Sequence, residues 1–200
     1  MYRRGNYYDE MAELVGALYI DYNIKTFPID AEAVCRKMGI MLIPYQEYPS
    51  DECELLKKRS LSAFYVPPAK GSAPMIFYNA DLDDVQSMGN IRRNIFHEVR
   101  HYVCEDTEED QCADDLADYF GKYFLAPVSY LIAKNIENIN AIIALFGVDY
   151  TMASFINKNV RNRKRKYGKR IFEYEKPLLR HLFGEDYDFY VNDSEEGDAY

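Results

Sequence analysis

Apolar residues recur at helical spacing near the start of the chain, where residues 7–22 place them along one side of a predicted helix. These residues are Met11, Leu14, Val15, Leu18 and Tyr19. Asp30 then precedes a short segment, 31–38, that ends at Gly39, an order typical of a helix with an N-cap and a C-terminal glycine. The first forty residues therefore predict two helices.

Short apolar runs follow, and their lengths and boundaries favour strands. Residues 40–43 form one run that Pro44 stops, and residues 46–60 are polar enough for a loop or a short helix. Residues 61–66 and Met75–Tyr78 are two further runs, and the Pro- and Gly-containing segment between them predicts a hairpin. We therefore expect a small antiparallel sheet.

The remainder of the chain favours helices. Periodic apolar positions predict one helix over residues 84–104 and another over 109–125, which Pro127 ends. Residues 128–182 predict two or three more. Helices, a small sheet and then further helices together predict an α+β fold that is mostly helical.

A chain of 200 residues is long enough for one domain, or for one domain with a small appendage. We expect residues 1–127 to form the core and residues 128–183 to form a helical C-terminal subdomain with a basic segment. Residues 184–200 are acidic, and their composition predicts a partly mobile tail.

Residues 97–101 read His-Glu-Val-Arg-His, which is the H-E-x-x-H pattern of zinc proteases. His97 and His101 are four residues apart, so they share one face of a helix and can bind one metal ion. Glu98 is placed to take a proton from a water molecule at that metal. A surface helix with two ordinary His is the alternative, but two of the three His of the chain lie here. The pattern predicts a zinc site.

A catalytic zinc takes three protein ligands and keeps one open position. The next predicted helix offers Asp114 and Asp118, four residues apart on one face. We expect Asp114 to be the third ligand and Asp118 to hold a His from behind. Asp110, Asp115 and Asp118 are alternatives for the third ligand, and the whole of 105–118 is a solvated acidic stretch if no metal binds.

A closed structural zinc site is a further alternative. Its ligands would be His97, His101, Cys104 and Cys112. One helix face presents three ligands to one ion only awkwardly, and this site gives Glu98 no role. The sequence therefore favours Cys104 as a small apolar residue near the site.

Two segments resemble motifs of the ImmA/IrrE metallopeptidase family. Residues 90–102 are similar to R-x-x-F-T-x-A-H-E-L-G-H, and residues 114–127 are similar to E-x-x-A-N-x-F-A-x-x-L-L-M-P. In the second segment the family's Ala, Phe, Leu and Pro correspond to Ala117, Phe120, Leu125 and Pro127. The order of the flanking segments agrees, so the resemblance covers roughly residues 7–160.

The resemblance implies a zincin-like core and a zinc-dependent endopeptidase. It makes His97 and His101 metal ligands and Glu98 the catalytic base, and it puts Asp114 at the position of the family's ligand Glu and Asp118 beside the site. Members are typically cytoplasmic anti-repressors of bacteria and mobile elements. The implied protein substrate is a helix-turn-helix repressor.

Two departures from the family pattern affect the site. Asp114 is one methylene shorter than Glu, so its helix must approach more closely or tilt. Val99 and Arg100 replace the usual Leu-Gly, and Arg100 brings bulk and charge where the family has none. A metal-binding regulatory protein that binds a partner and cleaves little is therefore an alternative function.

An endopeptidase also needs a donor for the oxyanion and a surface for the substrate backbone. The candidate donors are Tyr102, Tyr119, Tyr123 and Arg100. The strand Met75–Tyr78 pairs within the sheet in our prediction, and an exposed edge there can also pair with an extended substrate.

The net charge of −9 argues against general affinity for nucleic acid. Residues 141–160 nevertheless have a helix-turn-helix character and precede a basic run over 161–170, so a DNA-associated regulator is a third alternative. We favour a helical subdomain with a solvated basic end.

The chain shows no signal peptide and no apolar run long enough for a membrane, and four unpaired Cys predict a cytoplasmic protein. The sequence predicts no particular oligomeric state.

Overall fold

The protein is described by a computed structural model that covers residues 5–106 and 111–192. The helices are α1 (Gly5–Asp21), α2 (Ala31–Lys37), α3 (Ser50–Arg59), α4 (Leu82–Val85), α5 (Met88–Val103), α6 (Gln111–Leu125), α7 (Val128–Ala133), α8 (Ile139–Phe146), α9 (Tyr150–Tyr167), α10 (Lys176–Phe183) and α11 (Tyr187–Asn192). The strands are β1 (Met41–Pro44), β2 (Ala63–Val66) and β3 (Met75–Tyr78). Helices thus predominate over a small sheet, which confirms the predicted α+β class.

The chain forms two compact units. Unit 1 comprises Met1–Pro28 together with Lys122–Tyr200, and unit 2 comprises Ile29–Gly121. Helix α1 therefore belongs with the C-terminal helices, whereas the sequence predicts a single core over 1–127. Helix α6 runs from unit 2 into unit 1.

The sheet of unit 2 has the strand order β1-β3-β2. Strands β2 and β3 are antiparallel, with Ala63 opposite Tyr78, and this confirms the predicted hairpin. Strand β1 is parallel to β3, with Met41 opposite Met75, so the sheet is mixed and not purely antiparallel. Strand β3 is central, so Met75–Tyr78 pairs within the sheet as predicted and offers no exposed edge to a substrate. The outer edges belong to β1 and β2.

The segment before the H-E-x-x-H pattern forms two helices where the sequence predicts one helix over 84–104. Helix α4 ends because Gln86 adopts a left-handed conformation with φ of 70°. The Ser87 hydroxyl then accepts a hydrogen bond from the Asn90 N–H at 3.1 Å and caps the start of α5. This cap fixes where α5 begins and therefore which of its faces carries the two His.

Unit 1 buries the apolar side of α1, as the periodicity predicts. Val15 and Tyr19 are fully buried, and the Tyr19 hydroxyl donates a hydrogen bond to the carbonyl oxygen of Phe124 at 2.5 Å. In the described part of the chain no single helix is long and apolar enough to cross a membrane. Helices α8 and α9, which meet at a bend of 116°, satisfy these criteria of length and composition only as a pair.

The predicted acidic tail begins with ordered structure. Residues Gly184–Asp186 form a 3₁₀ helix and α11 follows, with Val191 buried. Residues 193–200 lie outside the described residues. The C-terminal helical region therefore extends beyond residue 183.

Candidate metal centre

Helix α5 brings the two His of the H-E-x-x-H pattern together. Its buried side includes Ile91, Ile95 and Val99, which leaves His97 and His101 half-buried on an adjoining face. Their ring centroids are 5.0 Å apart, and their Nε2 atoms are separated by 3.2 Å. Both imidazoles therefore direct the same ring nitrogen toward a common point.

Helix α6 supplies a carboxylate to that point. The Asp114 Oδ1 atom lies 3.1 Å from the His97 Nε2 atom, and one ligand atom from each of His97, His101 and Asp114 lies within 4.8 Å of the other two. Two ligand atoms that bind zinc at about 2.0–2.1 Å with tetrahedral angles lie roughly 3.3 Å apart. The donor set and its spacing therefore fit a metal ion, and Asp114 provides the carboxylate as predicted.

Gly121 governs how closely α6 packs against α5. A Cβ atom at Gly121 would lie only 2.8 Å from the Arg93 carbonyl oxygen and 3.2 Å from the His97 backbone nitrogen. The absence of a side chain lets α6 approach the backbone of α5 closely, and Asp114 on α6 lies within 3.1 Å of the His97 Nε2 atom. In the sequence, the signal for this close approach of two helices is a glycine inside an otherwise helical pattern.

Each imidazole is also held from its other ring nitrogen by a carboxylate. The Nδ1 atom of His97 lies 3.2 Å from Asp118 Oδ1, and the Nδ1 atom of His101 lies 2.8 Å from Asp106 Oδ2. Such contacts fix the tautomer and orientation of a ligand His and leave Nε2 free for a metal. Asp118 has the predicted position.

Asp106 is a site residue that sequence reasoning did not identify. It follows the end of α5, where Glu105 has φ of 53° and turns the chain back toward His101. The buried Arg100 guanidinium forms an ion pair with the same Asp106 carboxylate. Arg100 therefore has a role beside the metal group, and its charge is directed to Asp106.

Glu98 faces the sheet as well as the two imidazoles. Its Oε2 atom accepts a hydrogen bond from the backbone N–H of Tyr65 in β2 at 2.9 Å. Burial raises the pKa of the Glu98 carboxyl above its ordinary value, although the charges of His97 and His101 and the Tyr65 hydrogen bond act in the opposite direction. A raised pKa brings a carboxylate closer to the range in which it can accept and return a proton.

The charges around His97 also affect its protonation. Burial lowers the pKa of His97, but the hydrogen bond to Asp118 and the negative charges of Glu98 and Asp114 outweigh it, so the net pKa is raised. An ion at Nε2 therefore competes with a proton that this environment favours.

The predicted oxyanion donors lie in different surroundings. Tyr102 is half-buried, with its ring 5.9 Å from that of Tyr65, and Tyr119 is also half-buried in unit 2. Tyr123 is buried in unit 1, and its hydroxyl lies 3.3 Å from Ser129 Oγ. That environment suits packing better than donation to a substrate.

The other proposed ligands do not join the group within the described residues, where only His97, His101 and Asp114 come together. Cys112 is exposed, and burial raises the pKa of the half-buried Cys104 thiol, which disfavours the thiolate that zinc requires. Asp115 accepts a hydrogen bond from Gln111, and Asp110 lies outside the described residues.

Comparisons of the chain with models of protein families, with curated proteins and with solved structures found no match.

Proposed function

We propose that this protein is a zinc-dependent endopeptidase. The observation that carries the proposal is the convergence of His97, His101 and Asp114, with a carboxylate behind each imidazole and Glu98 beside them. Two His with one carboxylate is one of the ligand sets of catalytic zinc sites, which keep a further position open. This donor set supports zinc as the metal, although nitrogen and oxygen ligands also suit manganese or iron.

In the proposed reaction His97, His101 and Asp114 hold the ion. Zinc bound there supplies a Lewis acid that polarises a peptide carbonyl and makes water more acidic. Glu98 accepts the proton of the attacking water at a carboxylate oxygen and passes it to the leaving amine. Asp106 and Asp118 keep the two imidazoles in the required orientation.

The outer edge of β2 supports a place for the substrate. Strand β2 lies at the edge of the sheet and packs against α5, and its Tyr65 N–H points at Glu98 rather than at β3. An extended peptide paired with this edge passes the catalytic carboxylate. In the proposal β2 therefore takes the role that the sequence suggests for Met75–Tyr78.

The proposed substrate is a helix-turn-helix repressor in the cytoplasm, and the resemblance of residues 90–102 and 114–127 to ImmA/IrrE motifs is its support. The four free cysteines are compatible with a reducing compartment. We test the metal first, because every later step depends on it.

The test is the metal content of the purified protein by plasma mass spectrometry, beside His97→Ala and Asp114→Ala. About one zinc per chain that both variants lose supports the site. If the Asp114→Ala variant still binds zinc, the third ligand is another residue. If the wild type binds no metal even after zinc is added, the proposal is overturned.

Cleavage is tested with a library of peptides and with candidate repressors. Glu98→Gln is expected to abolish cleavage and to keep zinc, because the amide preserves the shape but cannot accept the proton. Equal cleavage by wild type and Glu98→Gln would assign the activity to a contaminant.

One observation favours a second function, a metal-binding regulatory protein that binds a partner and cleaves little. The Tyr65 N–H already occupies one oxygen of Glu98, which reduces the capacity of this carboxylate to serve as a base. Under this function wild type and Glu98→Gln bind the partner equally, and neither cleaves it.

A further inference from the structure

A second candidate site lies in unit 1, on helix α9, which carries six basic side chains and no acidic one. Two of these cations are neutralised within unit 1. Arg163 forms an ion pair with the buried Glu175, and Lys164 forms one with Glu137. The electrostatic role of these two side chains is therefore structural.

Three other cations of α9 lie along a different face, at a spacing of three and four residues. They are Lys158, Arg161 and Arg165, and all three are exposed. In the part of the chain that the structure describes, none of them forms an ion pair with a carboxylate. Glu137 lies near enough to Arg161 for that charge to lower the Glu137 pKa, but Lys164 makes the larger contribution through its hydrogen bond. The uncompensated charge is thus confined to one face of the helix.

That face borders a cavity of about 420 Å³, which the three cations line together with Ile139 at the start of α8. Ser154 and Asn157 line the same cavity one turn earlier on α9. Asn157 is only 5% exposed, and its Oδ1 atom has no hydrogen-bond partner among the described residues. The Ser154 hydroxyl is also buried and without such a partner.

Buried polar atoms in folded proteins nearly always have hydrogen-bond partners, because an unsatisfied one is costly. Two unsatisfied groups beside one cavity, next to three unpaired cations, therefore indicate a ligand that satisfies both kinds of group. Three positive charges favour a multiply charged anion as the ligand. The planar guanidinium groups of Arg161 and Arg165 match the geometry of phosphate oxygens. The Asn157 Oδ1 atom calls for a hydrogen-bond donor on the same ligand.

We propose that this cavity binds a phosphorylated small molecule of about mononucleotide size. Its phosphate groups contact Lys158, Arg161 and Arg165, and an N–H or O–H of its remaining part donates to Asn157. The volume lies within the range of small-molecule sites. A net charge of −9 and a concave site favour a small ligand over a nucleic acid. The proposal is independent of the metal centre.

The test is isothermal titration of the full chain with pyrophosphate and with ADP at constant ionic strength. Saturable binding of one ADP per chain is expected, with Arg161→Gln and Arg165→Gln each weakening it by about tenfold or more. Lys166→Gln is the matched control. It removes one positive charge from the same helix, but Lys166 lies over the Tyr167 ring and does not line the cavity.

Three results of these binding experiments would overturn the proposal. Equal weakening in Lys166→Gln overturns the site, because general charge attraction then explains the binding. Absence of saturable binding of either probe below about 1 mM also overturns it. Tighter binding of duplex DNA than of ADP, lost in the same arginine variants, assigns the face to nucleic acid and overturns the small-molecule proposal.

Asn157→Leu gives a second, independent readout. The variant keeps the side-chain volume and removes the unsatisfied amide, so the midpoint of thermal unfolding is expected to stay or to rise. ADP binding is expected to weaken by about tenfold. A lower midpoint with unchanged binding makes Asn157 a packing residue and overturns its contact with the ligand.

Discussion

The two imidazoles of the metal centre each use both ring nitrogens. His97 lies between Asp114 and Asp118, and His101 lies between His97 and Asp106. Because the ring orientation is fixed from the side away from the metal, side chains outside the H-E-x-x-H pattern affect the affinity of the site. The least expected of these is Asp106, which Arg100 holds in turn.

Asp106→Asn is expected to lower zinc affinity by roughly 10- to 100-fold, because the amide no longer balances the charge of Arg100 or orients His101 as firmly. Competition titrations with a chromogenic chelator measure this. Asp115→Asn is the control on α6, since Asp115 accepts only from Gln111 at the surface in the hydrogen bonds described. Unchanged affinity in Asp106→Asn contradicts a positioning role.

The raised pKa values of His97 and Glu98 predict a pH dependence of the metal-free protein. A group whose pKa is higher in the folded state stabilises the fold fully below its unfolded pKa, and this contribution is lost as pH rises through the folded pKa. The loss begins above about 4.5 for Glu98 and above about 6.5 for His97. The free energy of unfolding without metal should therefore begin to fall above about pH 4.5 and fall further above about pH 6.5.

Urea denaturation of the metal-free protein across this range measures the effect. In the His97→Gln variant the unfolding free energy should fall less steeply as pH rises above about 6.5. His181→Gln is the control with the opposite sign, because burial lowers the pKa of His181 and its contribution grows as pH rises. A His97→Gln variant with the slope of wild type would contradict the prediction.

At the scale of elements, the position of α6 against α5 determines whether Asp114 reaches His97 and His101. The contact depends on Gly121, because any Cβ there meets the backbone of α5. The backbone of α5 cannot move locally to make room, as the end of a flexible side chain could. The whole of α6 must therefore move if a side chain is added at this position.

Gly121→Ala is expected to lower zinc affinity by tenfold or more and to destabilise the protein by about 1–3 kcal/mol through overpacking. Chelator competition and urea denaturation give the two values. Gly16→Ala is a matched control in a buried helical position, where the nearest atom, Leu178 Cβ, is 3.4 Å away. There the helix propensity of Ala should preserve or raise stability.

The periodicity of the sequence predicts most of the elements, but neither their exact number nor their arrangement. Residues 128–182 are predicted to form two or three helices, whereas the structure has four there, α7 to α10. The periodicity predicted α1, the capped α2 and the β2–β3 hairpin, because these depend on neighbouring residues. It does not show that β3 is central, since the pairing of β1 with β3 joins segments more than thirty residues apart and leaves no local pattern. Helix α4 was missed because one left-handed residue, Gln86, ends it.

The same limit applies to the metal centre. The pattern at residues 97–101 supplied three of the site residues, and helical spacing supplied Asp114 and Asp118. Asp106 could not be singled out, because only the turn at Glu105 shows which acidic residue returns to His101. The contact of Glu98 with β2 likewise depends on tertiary packing.

At the scale of the whole molecule, α1 is separated in sequence from the other helices of its unit. Two tyrosine hydroxyls join these distant segments. Tyr19 donates to the Phe124 carbonyl inside the core, and Tyr174 donates to the Asp9 carboxylate at 2.8 Å at the surface. The pair offers a comparison of buried and exposed hydrogen bonds within one unit.

Tyr19→Phe is expected to cost about 1–3 kcal/mol of unfolding free energy, because it leaves the Phe124 carbonyl buried and unsatisfied. Tyr174→Phe should cost less than about 1 kcal/mol, since water can replace its exposed bond. Equilibrium urea denaturation compares the two variants. Equal losses of unfolding free energy in the two variants would show that burial does not increase the contribution of the Tyr19 hydrogen bond.

The grouping of α1 with the segment after Gly121 also has a consequence during synthesis on the ribosome. Residues 29–121 emerge as one continuous stretch, so His97, His101 and Asp114 leave the exit tunnel together with the rest of their unit. The apolar side of α1, although made first, has no partner until Phe124 and α10 have been translated. Nascent chains stopped between these two points contain all three candidate metal ligands but leave the apolar side of α1 uncovered, and exposed hydrophobic surface of this kind is a target of chaperones.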